Sequence, residues 1–230
     1  MNSDNIRRAL QFICVVDELK KRIRAGYEIW GVLAQRIESV SEHTLSALFT
    51  ANALYPLCPW RDKINIDRVN LMLLYHDIGE ALIGDIPVID TAAHDNKAVN
   101  EHRAWRKILE ILPYEQGIYD LLLEYDACKT YDARFANFCD KFQCNKTVKE
   151  YYDAGLFPPL EDCVANSEII RDNPTIQKLI EEGAKTPIDV WFAEDFIAYS
   201  DDDFFMTAHN VLREMDTQQV INDFKNNFQQ

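Results

Sequence analysis

Apolar residues recur along most of this chain at the three- and four-residue spacings of helices that bury one face. In the N-terminal part this spacing joins Ile6, Leu10 and Ile13. Similar periodicity extends over about residues 42–54, 68–83, 99–112, 115–129, 131–152 and 167–183. Strand-like alternation of apolar and polar residues does not extend over any convincing length. The pattern therefore predicts an all-α fold.

The segment 71–87, with the sequence LMLLYHDIGEALIGDIP, places ionisable side chains inside an otherwise apolar run. His76 and Asp77 are adjacent, and Glu80 follows His76 by one helical turn. Ionisable groups are costly to bury without a partner, and residues four apart share one face of a helix. The segment therefore predicts a group of ligands or proton carriers on one helical turn. A metal ion is one partner that could compensate for their burial.

The helix that carries this segment is predicted over 68–83. Asp67 is its predicted N-cap, and Gly84 is predicted to end it because glycine adopts the left-handed conformation without strain. Asp85 follows Gly84, a position at which aspartate is ordinarily a turn residue.

Two other helices offer further candidate ligands. Ser39 or Ser41 is predicted to cap the helix over 42–54, which carries His43 in its first turn. A lone histidine there is more often an ordinary polar residue than a ligand. Asp140 borders the apolar stripe of the helix over 131–152 and, taken alone, is equally suited to a salt bridge. The residues of the helix over 42–54 predicted to point inward are Leu45, Leu48 and Phe49.

Composition limits the classes of function. A chain of 230 residues with 47% hydrophobic content can bury a sizeable core, and one domain is the default. We predict a core over about 10–155 and a helical C-terminal extension over about 156–230. The formal net charge of −14 argues against a nucleic-acid backbone or an anionic membrane as the main partner, since both attract basic surfaces. A phosphate-bearing substrate would need a local basic pocket.

The cysteines indicate a reducing environment. The chain has six, without a Cys-x-x-Cys pair or a regular framework, which argues against structural zinc and a secreted disulfide scaffold. No apolar run approaches the length of roughly 20 residues that spans a membrane. We therefore predict a cytoplasmic protein without a signal peptide or anchor.

Three stretches resemble the HD-domain metal-dependent phosphohydrolases, and in particular the branch of the bacterial 5'-deoxynucleotidases and related small HD-domain proteins. They are ESVSEH, which ends at His43, YHDIGEALIGDIP over 75–87, and FANFCDK over 135–141. The ordered set of His43, His76, Asp77 and Asp140 is much more specific evidence for this family than a lone His-Asp pair. The resemblance covers about residues 10–155 and implies an HD-type helical bundle.

The resemblance implies one divalent metal ion per chain, held by His43, His76, Asp77 and Asp140. Two imidazoles and two carboxylates suit manganese, cobalt, iron, nickel or zinc better than magnesium, which prefers oxygen donors. Some HD proteins hold a second metal through extra histidines, for which His94 and His102 are the candidates here. Both lie among polar and charged residues typical of a solvated surface.

The resemblance also implies roles around the metal. Arg24, with Arg22 as the alternative, would hold the substrate phosphate. The basic cluster 20–24 is otherwise explained by the preference of cations for a helix C-terminus. Glu80 would orient or deprotonate water, and Asp85 would contact the sugar or protonate the leaving oxygen. The implied reaction is hydrolysis of a (deoxy)nucleoside 5'-monophosphate by a homodimer.

Other functions remain open. An HD phosphohydrolase can instead act on deoxynucleoside triphosphates, cyclic nucleotides or guanosine polyphosphates, and an HD module can bind nucleotides without turnover. An oxygen-activating di-iron protein is a third class. The chain lacks a Gly-x-x-x-x-Gly-Lys-Ser/Thr phosphate loop and a serine nucleophile elbow, which disfavours kinases and serine hydrolases.

Overall fold

The structure is a computed structural model that describes residues 3–90, 96–113 and 115–228. Within these residues the chain is helical without any strand, and one isolated bridge pairs Ile23 with Ser39. The all-α prediction is confirmed. The α-helices are α1 Ser3–Val16, α2 Ala25–Ile29, α3 Val40–Leu54, α4 Ile66–Tyr75, α5 Glu80–Ile83, α6 Lys97–Leu109, α7 Glu115–Ala127, α8 Tyr131–Asp153, α9 Leu160–Asn166, α10 Glu168–Asp172, α11 Pro174–Glu181, α12 Pro187–Ala198, α13 Asp203–Glu214 and α14 Thr217–Phe228.

The chain contacts divide the protein into two compact units. The first comprises Met1–Ala25 and Glu38–Asp140, and the second comprises Gly26–Ile37 and Lys141–Gln230. Every residue predicted for the metal site or for catalysis belongs to the first unit. The prediction of one domain with an extension after residue 155 stays a prediction.

In the first unit, α3 packs against α4, α4 against α7, and α6 against both α5 and α7. These helices surround a buried apolar core, and burial of such side chains contributes roughly 25 cal/mol per Å² of apolar surface. The core residues are Leu19, Val40, Ile78, Ala81, Trp105, Ile108, Leu109 and Leu122.

Helix α3 begins after Ser39, which is one of the two serines predicted to cap it. Ser39 forms a capping box with Glu42, in which each side chain binds the backbone N–H of the other residue, so the free N–H groups of the first turn are satisfied. The inward face was predicted wrongly, because Leu45 and Phe49 are 54% and 69% exposed. The stripe that is buried instead consists of Val40, His43, Ala47 and Ala51.

The predicted continuous helix over 68–83 is wrong. Helix α4 ends at Tyr75, a turn occupies residues 76–79, and α5 then begins at Glu80. The N-cap is Asn65 rather than Asp67, since the Asn65 side chain accepts hydrogen bonds from two backbone N–H groups of the first turn. Gly79 lies so close to Trp105 that a Cβ atom there would be 3.1 Å from its ring. The turn therefore packs closely on α6.

The end of α5 agrees with the prediction. Gly84 has a φ of 80°, a conformation that glycine adopts without the strain other residues meet. The chain turns there, and Asp85 follows directly.

The second unit has its own core, in which Tyr27, Val32 and Val148 are buried and Trp191 packs against them. The single helix predicted over 167–183 is wrong. It is divided into α10 and α11 at Asn173, whose side chain caps α11, because the following Pro174 lacks a backbone N–H and restricts the residue before it. In the part of the chain that the structure describes, no helix is long and apolar enough to cross a membrane.

Candidate metal centre

Two buried imidazoles face each other in the first unit. His43, in the first turn of α3, and His76, which follows the last residue of α4, have their Nε2 atoms 3.3 Å apart. His76 Nδ1 lies 2.7 Å from the carbonyl oxygen of Leu73, so this nitrogen carries the donated proton and Nε2 presents its lone pair to the centre. Such backbone contacts fix the tautomer of metal-binding histidines.

Two carboxylates approach the same imidazoles. Asp77 Oδ2 is 3.1 Å from His76 Nε2 and 3.6 Å from His43 Nε2. Asp140 Oδ1, from α8, is 2.9 Å from His43 Nε2 and 3.6 Å from His76 Nε2. All four residues predicted as ligands therefore direct one donor atom toward a common place.

This donor set fits a divalent metal ion. Neighbouring ligands on an ion with bonds of about 2.0–2.2 Å lie roughly 3 Å from each other, which is close to the distances between these atoms. Asp77 Oδ2 is buried and makes no hydrogen bond with any described residue, and a buried carboxylate oxygen is costly without a partner. A cation bound there would satisfy it.

The electrostatics of the pair His76 and Asp77 favour positive charge at this place. Burial lowers the pKa of His76, but Asp77 and Asp140 outweigh it and raise the pKa to about 9. Burial raises the pKa of Asp77, but His76, Arg24 and His43 outweigh it and hold the pKa below its usual range. The carboxylates thus stabilise a cation among the imidazoles, and a metal ion supplies that charge with the imidazoles neutral.

Arg24 lies at the edge of this group. Its Nη1 is 3.3 Å from Asp85 Oδ1, 3.5 Å from Asp77 Oδ2 and 4.0 Å from Glu80 Oε2. The second oxygen of Asp85 accepts the backbone N–H of Ala25 at 2.7 Å. Asp85 therefore holds the segment that carries Arg24.

Arg22, the alternative to Arg24, donates instead to the carbonyl oxygen of Ala81 at 3.3 Å. The structure thus brings the preferred arginine, Arg24, to the predicted metal ligand Asp77.

Glu80 is 2% exposed, and its Oε2 atom makes no hydrogen bond with the described residues. Burial, Asp77 and Asp85 raise its pKa well above the usual range of glutamate, while Arg24 and Lys97 act in the opposite direction. A carboxyl group with a raised pKa is suited to exchange protons near neutral pH. The side chains of Asp77 and Arg24 each keep 14% of their surface exposed, so solvent reaches this side of the centre.

The candidates for a second metal do not join this group. His94 lies outside the described residues. His102 Nε2 is 3.1 Å from Asp126 Oδ2, and its ring packs on Trp105 with centroids 4.9 Å apart. Within the described ranges, the donors that lie within 4.8 Å of His43 and His76 include Asp77 but not His102.

One contact at the centre escaped the sequence reasoning. Tyr125, on α7, donates a hydrogen bond of 2.8 Å to Asp140 Oδ2. In the sequence it is one more apolar position of an amphipathic helix, and no spacing rule relates it to Asp140. Only the packing of α7 beside α8 identifies it.

Comparisons with known proteins bear on the family and on the fold of this chain. The profile of the family described as HD domain matches residues 16–161. The human protein named 5'-deoxynucleotidase HDDC2 is 30% identical over 179 residues, which cover 76% of this chain and 84% of that protein. The Saccharomyces cerevisiae protein named 5'-deoxynucleotidase YBR242W is 28% identical, with 68% of this chain and 67% of that protein covered.

A solved structure shares the fold. It is titled a predicted metal-dependent phosphohydrolase from Magnetospirillum magnetotacticum, with a TM-score of 0.58 and 23% identity. The match covers 88% of this chain and 96% of that one.

Proposed function

This chain belongs to the HD domain family, and on that premise we propose that it is a metal-dependent phosphohydrolase that converts (deoxy)nucleoside 5'-monophosphates to nucleoside and phosphate. The observation that carries the proposal is the convergence of His43, His76, Asp77 and Asp140 beside the solvent-accessible Arg24. The relatives named 5'-deoxynucleotidases support the substrate class.

We propose that His43, His76, Asp77 and Asp140 hold one divalent ion, which is manganese, cobalt, iron, nickel or zinc. When bound, such an ion lowers the pKa of water and neutralises negative charge on phosphoryl oxygens. A site with four protein donors leaves room for exogenous ligands on an ion of five or six coordination, as a catalytic site requires.

Glu80 acts on the attacking water. Its buried Oε2 lacks a hydrogen bond among the described residues and lies near Asp77 and Asp85, whose charges raise its proton affinity. Glu80 therefore orients the water and accepts its proton as the bond from water oxygen to phosphorus forms and the bond from phosphorus to the nucleoside oxygen breaks. The leaving oxygen takes up a proton from solvent to complete the nucleoside, and Glu80 returns the proton it accepted to solvent.

Arg24 binds the phosphate of the substrate. Its Nη1 lies within 4.0 Å of carboxylate oxygens of Asp77, Glu80 and Asp85, and the planar fork of guanidinium donors matches phosphate oxygens. Asp85 holds Arg24 and the N–H of Ala25, so its first role is positioning. The predicted contact of Asp85 with the sugar or the leaving oxygen stays a prediction.

A nucleotide panel tests the function. The purified protein is incubated with Mn²⁺ or Co²⁺ and nucleoside mono-, di- and triphosphates, cyclic nucleotides and guanosine polyphosphates, and phosphate and pyrophosphate are measured separately. We expect phosphate from 5'-monophosphates. Pyrophosphate or triphosphate without turnover of monophosphates would identify a different HD phosphohydrolase, and metal binding without any cleavage would identify a non-catalytic module.

Glu80→Gln is the matched variant for this panel, because it keeps the shape of the side chain and removes its basicity. We expect turnover to fall by roughly 10²- to 10⁴-fold, the range typical of a lost general base, with metal content unchanged. Equal turnover in both proteins would contradict the role of Glu80.

We also propose a homodimer in a reducing compartment such as the cytoplasm. All six cysteines are free, which supports the compartment. Large apolar side chains are exposed on α3 and α4, which supports a partner surface. The net charge of −14 supports a small phosphoester as substrate rather than a nucleic acid or an anionic membrane.

A further inference from the structure

Tyr125 contacts the metal centre without belonging to the four donors. Its hydroxyl donates a 2.8 Å hydrogen bond to Asp140 Oδ2, while Asp140 Oδ1 lies 2.9 Å from His43 Nε2. The two oxygens of this buried carboxylate therefore have different partners. One faces the imidazoles, and the other faces a phenol.

The ring of Tyr125 also packs against a second predicted ligand. The centroids of the Tyr125 and His76 rings are 5.5 Å apart, and the ring planes are inclined by 59°. His76 follows the end of α4, whereas Asp140 belongs to α8. One side chain thus contacts two ligands that different helices supply.

The backbone of Tyr125 is tied to the helix that carries Asp140. The side-chain amide of Asn137 donates to the carbonyl oxygen of Tyr125 at 2.9 Å and to that of Ala133, in its own helix, at 3.1 Å. Asn137 precedes Asp140 by about one helical turn. The hydroxyl of Tyr125 and its carbonyl group are therefore both bound to neighbouring positions of α8.

We propose that Tyr125 is a positioning residue that fixes Asp140 as a metal ligand through a single oxygen. This inference rests on the proposed function, because it requires that the centre binds an ion. The hydrogen bond to Oδ2 holds the carboxylate plane and leaves Oδ1 directed at the imidazoles. Without the hydroxyl, the carboxylate loses this restraint on its orientation. Partners of this kind typically contribute 10- to 100-fold to metal affinity.

The test compares Tyr125→Phe with Tyr119→Phe. The first variant removes the hydroxyl at Asp140 and keeps the ring against His76. The second removes a hydroxyl from the same helix α7, where Tyr119 accepts a hydrogen bond of 2.9 Å from Arg106 Nε. Metal-free proteins are titrated with Co²⁺, and both the dissociation constant and the visible absorption spectrum of the bound ion are recorded.

We expect Tyr125→Phe to weaken Co²⁺ binding by about 10- to 100-fold and to change the spectrum, whereas Tyr119→Phe leaves both as in the wild type. Asn137→Ala, which releases the backbone of Tyr125, is the second variant, with a smaller change in the same direction. Wild-type affinity and spectrum in Tyr125→Phe would overturn the inference, as would an equal change in Tyr119→Phe.

The inference about Tyr125 and the proposed function can fail independently of each other. If the wild type binds Co²⁺ and hydrolyses monophosphates while Tyr125→Phe binds Co²⁺ equally well, the inference alone fails. If the wild type binds Co²⁺ without hydrolysing any nucleotide, the function fails, and the binding and spectral changes still decide the role of Tyr125. A wild type that binds no Co²⁺ would overturn both.

Discussion

Arg24 illustrates how the surroundings of a single side chain would prepare it for the proposed phosphate contact. Its Nη1 is within 4.0 Å of carboxylate oxygens of Asp77, Glu80 and Asp85. A metal ion at the centre would engage Asp77 and leave the guanidinium better able to bind an anion. The carboxylates thus hold the arginine in place before the substrate arrives, which lowers the cost of ordering it on binding.

Replacing this arginine tests its role. Arg24→Ala is expected to lower kcat/KM for a nucleoside monophosphate by roughly 10- to 100-fold, the equivalent of one or two charged hydrogen bonds, while the protein still binds metal. Steady-state kinetics at saturating Mn²⁺ measures the effect. Arg22→Ala is the control, since Arg22 contacts the carbonyl of Ala81 and its loss should change kcat/KM little. An equal loss in the two variants would contradict the assignment.

His209, in the second unit, makes the free energy of unfolding depend on pH. It is 2% exposed and lies against the rings of Phe142, Phe192 and Tyr199. Burial in this apolar environment lowers its pKa to about 4. The unfolded chain binds the proton near the ordinary value of about 6.5, so between these two pH values the unfolded state carries more protons than the folded state.

Stability should therefore fall as the pH falls from about 6.5 to about 4, with a total contribution of roughly 3 kcal/mol. Urea unfolding of the wild type and of His209→Leu at several pH values gives the free energy of unfolding of each protein. The difference between the two, as a function of pH, is the contribution of His209. Burial raises the pKa of Asp153 and of Asp189, but hydrogen bonds outweigh it and lower both values. Both residues remain in the wild type and in the variant, so their titration cancels in the difference. A difference that is constant with pH would show that His209 is not neutral when buried.

The resemblance to a known family, which rests on short sequence motifs, led to the predicted ligands, and their binding of a metal ion stays a prediction. The predicted ligands His43, His76, Asp77 and Asp140 direct donor atoms to one place. Tyr125 was not predictable, since its role depends on which hydroxyl of α7 reaches α8. That is a property of packing, and a single sequence does not carry it.

At the scale of elements, the N-terminus of α3 is important because its first turn carries His43. Ser39 and Glu42 form the capping box there, and Thr186 and Asp189 form the same arrangement at α12 in the second unit. The two caps are chemically alike, but only the first begins a helix that supplies a predicted ligand. A comparison of the two caps therefore separates the effect of a cap on the free energy of unfolding from its effect on metal binding.

We expect Ser39→Ala and Thr186→Ala each to lower the free energy of unfolding by about 1 kcal/mol. Only Ser39→Ala should also weaken metal binding, by at most about fivefold, because 1.4 kcal/mol corresponds to a tenfold change. Urea unfolding and Mn²⁺ titration measure the two effects. Equal metal affinities in the two variants would show that the first turn of α3 keeps His43 in place without its cap.

The helices themselves were predictable where periodicity was long, but their breaks were not. The segment 68–83 shows an uninterrupted apolar pattern, yet the chain forms a turn at 76–79. Gly79 permits close packing on Trp105 there, which is a tertiary requirement that overrides local helix propensity. The exposed positions of α3 were mispredicted because small residues such as Ala47 are buried, while the larger Leu45 and Phe49 are exposed.

At the scale of the whole molecule, an exposed apolar face remains to be explained. Leu45 and Phe49 of α3 are 54% and 69% exposed, and Leu71 and Leu74 of α4 are 46% and 47% exposed. The two helices pack against each other, and each of them exposes a pair of large apolar side chains. Exposed apolar patches of this kind are typical of protein interfaces, which supports the proposed homodimer.

Sedimentation analysis tests this surface. We expect the wild type to sediment as a dimer at micromolar concentration, and Phe49→Lys to sediment as a monomer because it places a charge in the apolar face. The control is Phe224→Lys, since Phe224 is 77% exposed on α14, away from α3 and α4 in sequence and in the other unit. A monomeric wild type, or dissociation only by the control, would contradict the assignment.

The most direct test of the account is titration of the metal-free protein with Mn²⁺ by calorimetry, performed on the wild type and on Asp140→Ala. The central claim is that donors from separate helices meet around one ion. It predicts one site per chain in the wild type and loss of that site in the variant. No binding by the wild type, or an unchanged site without Asp140, would contradict it.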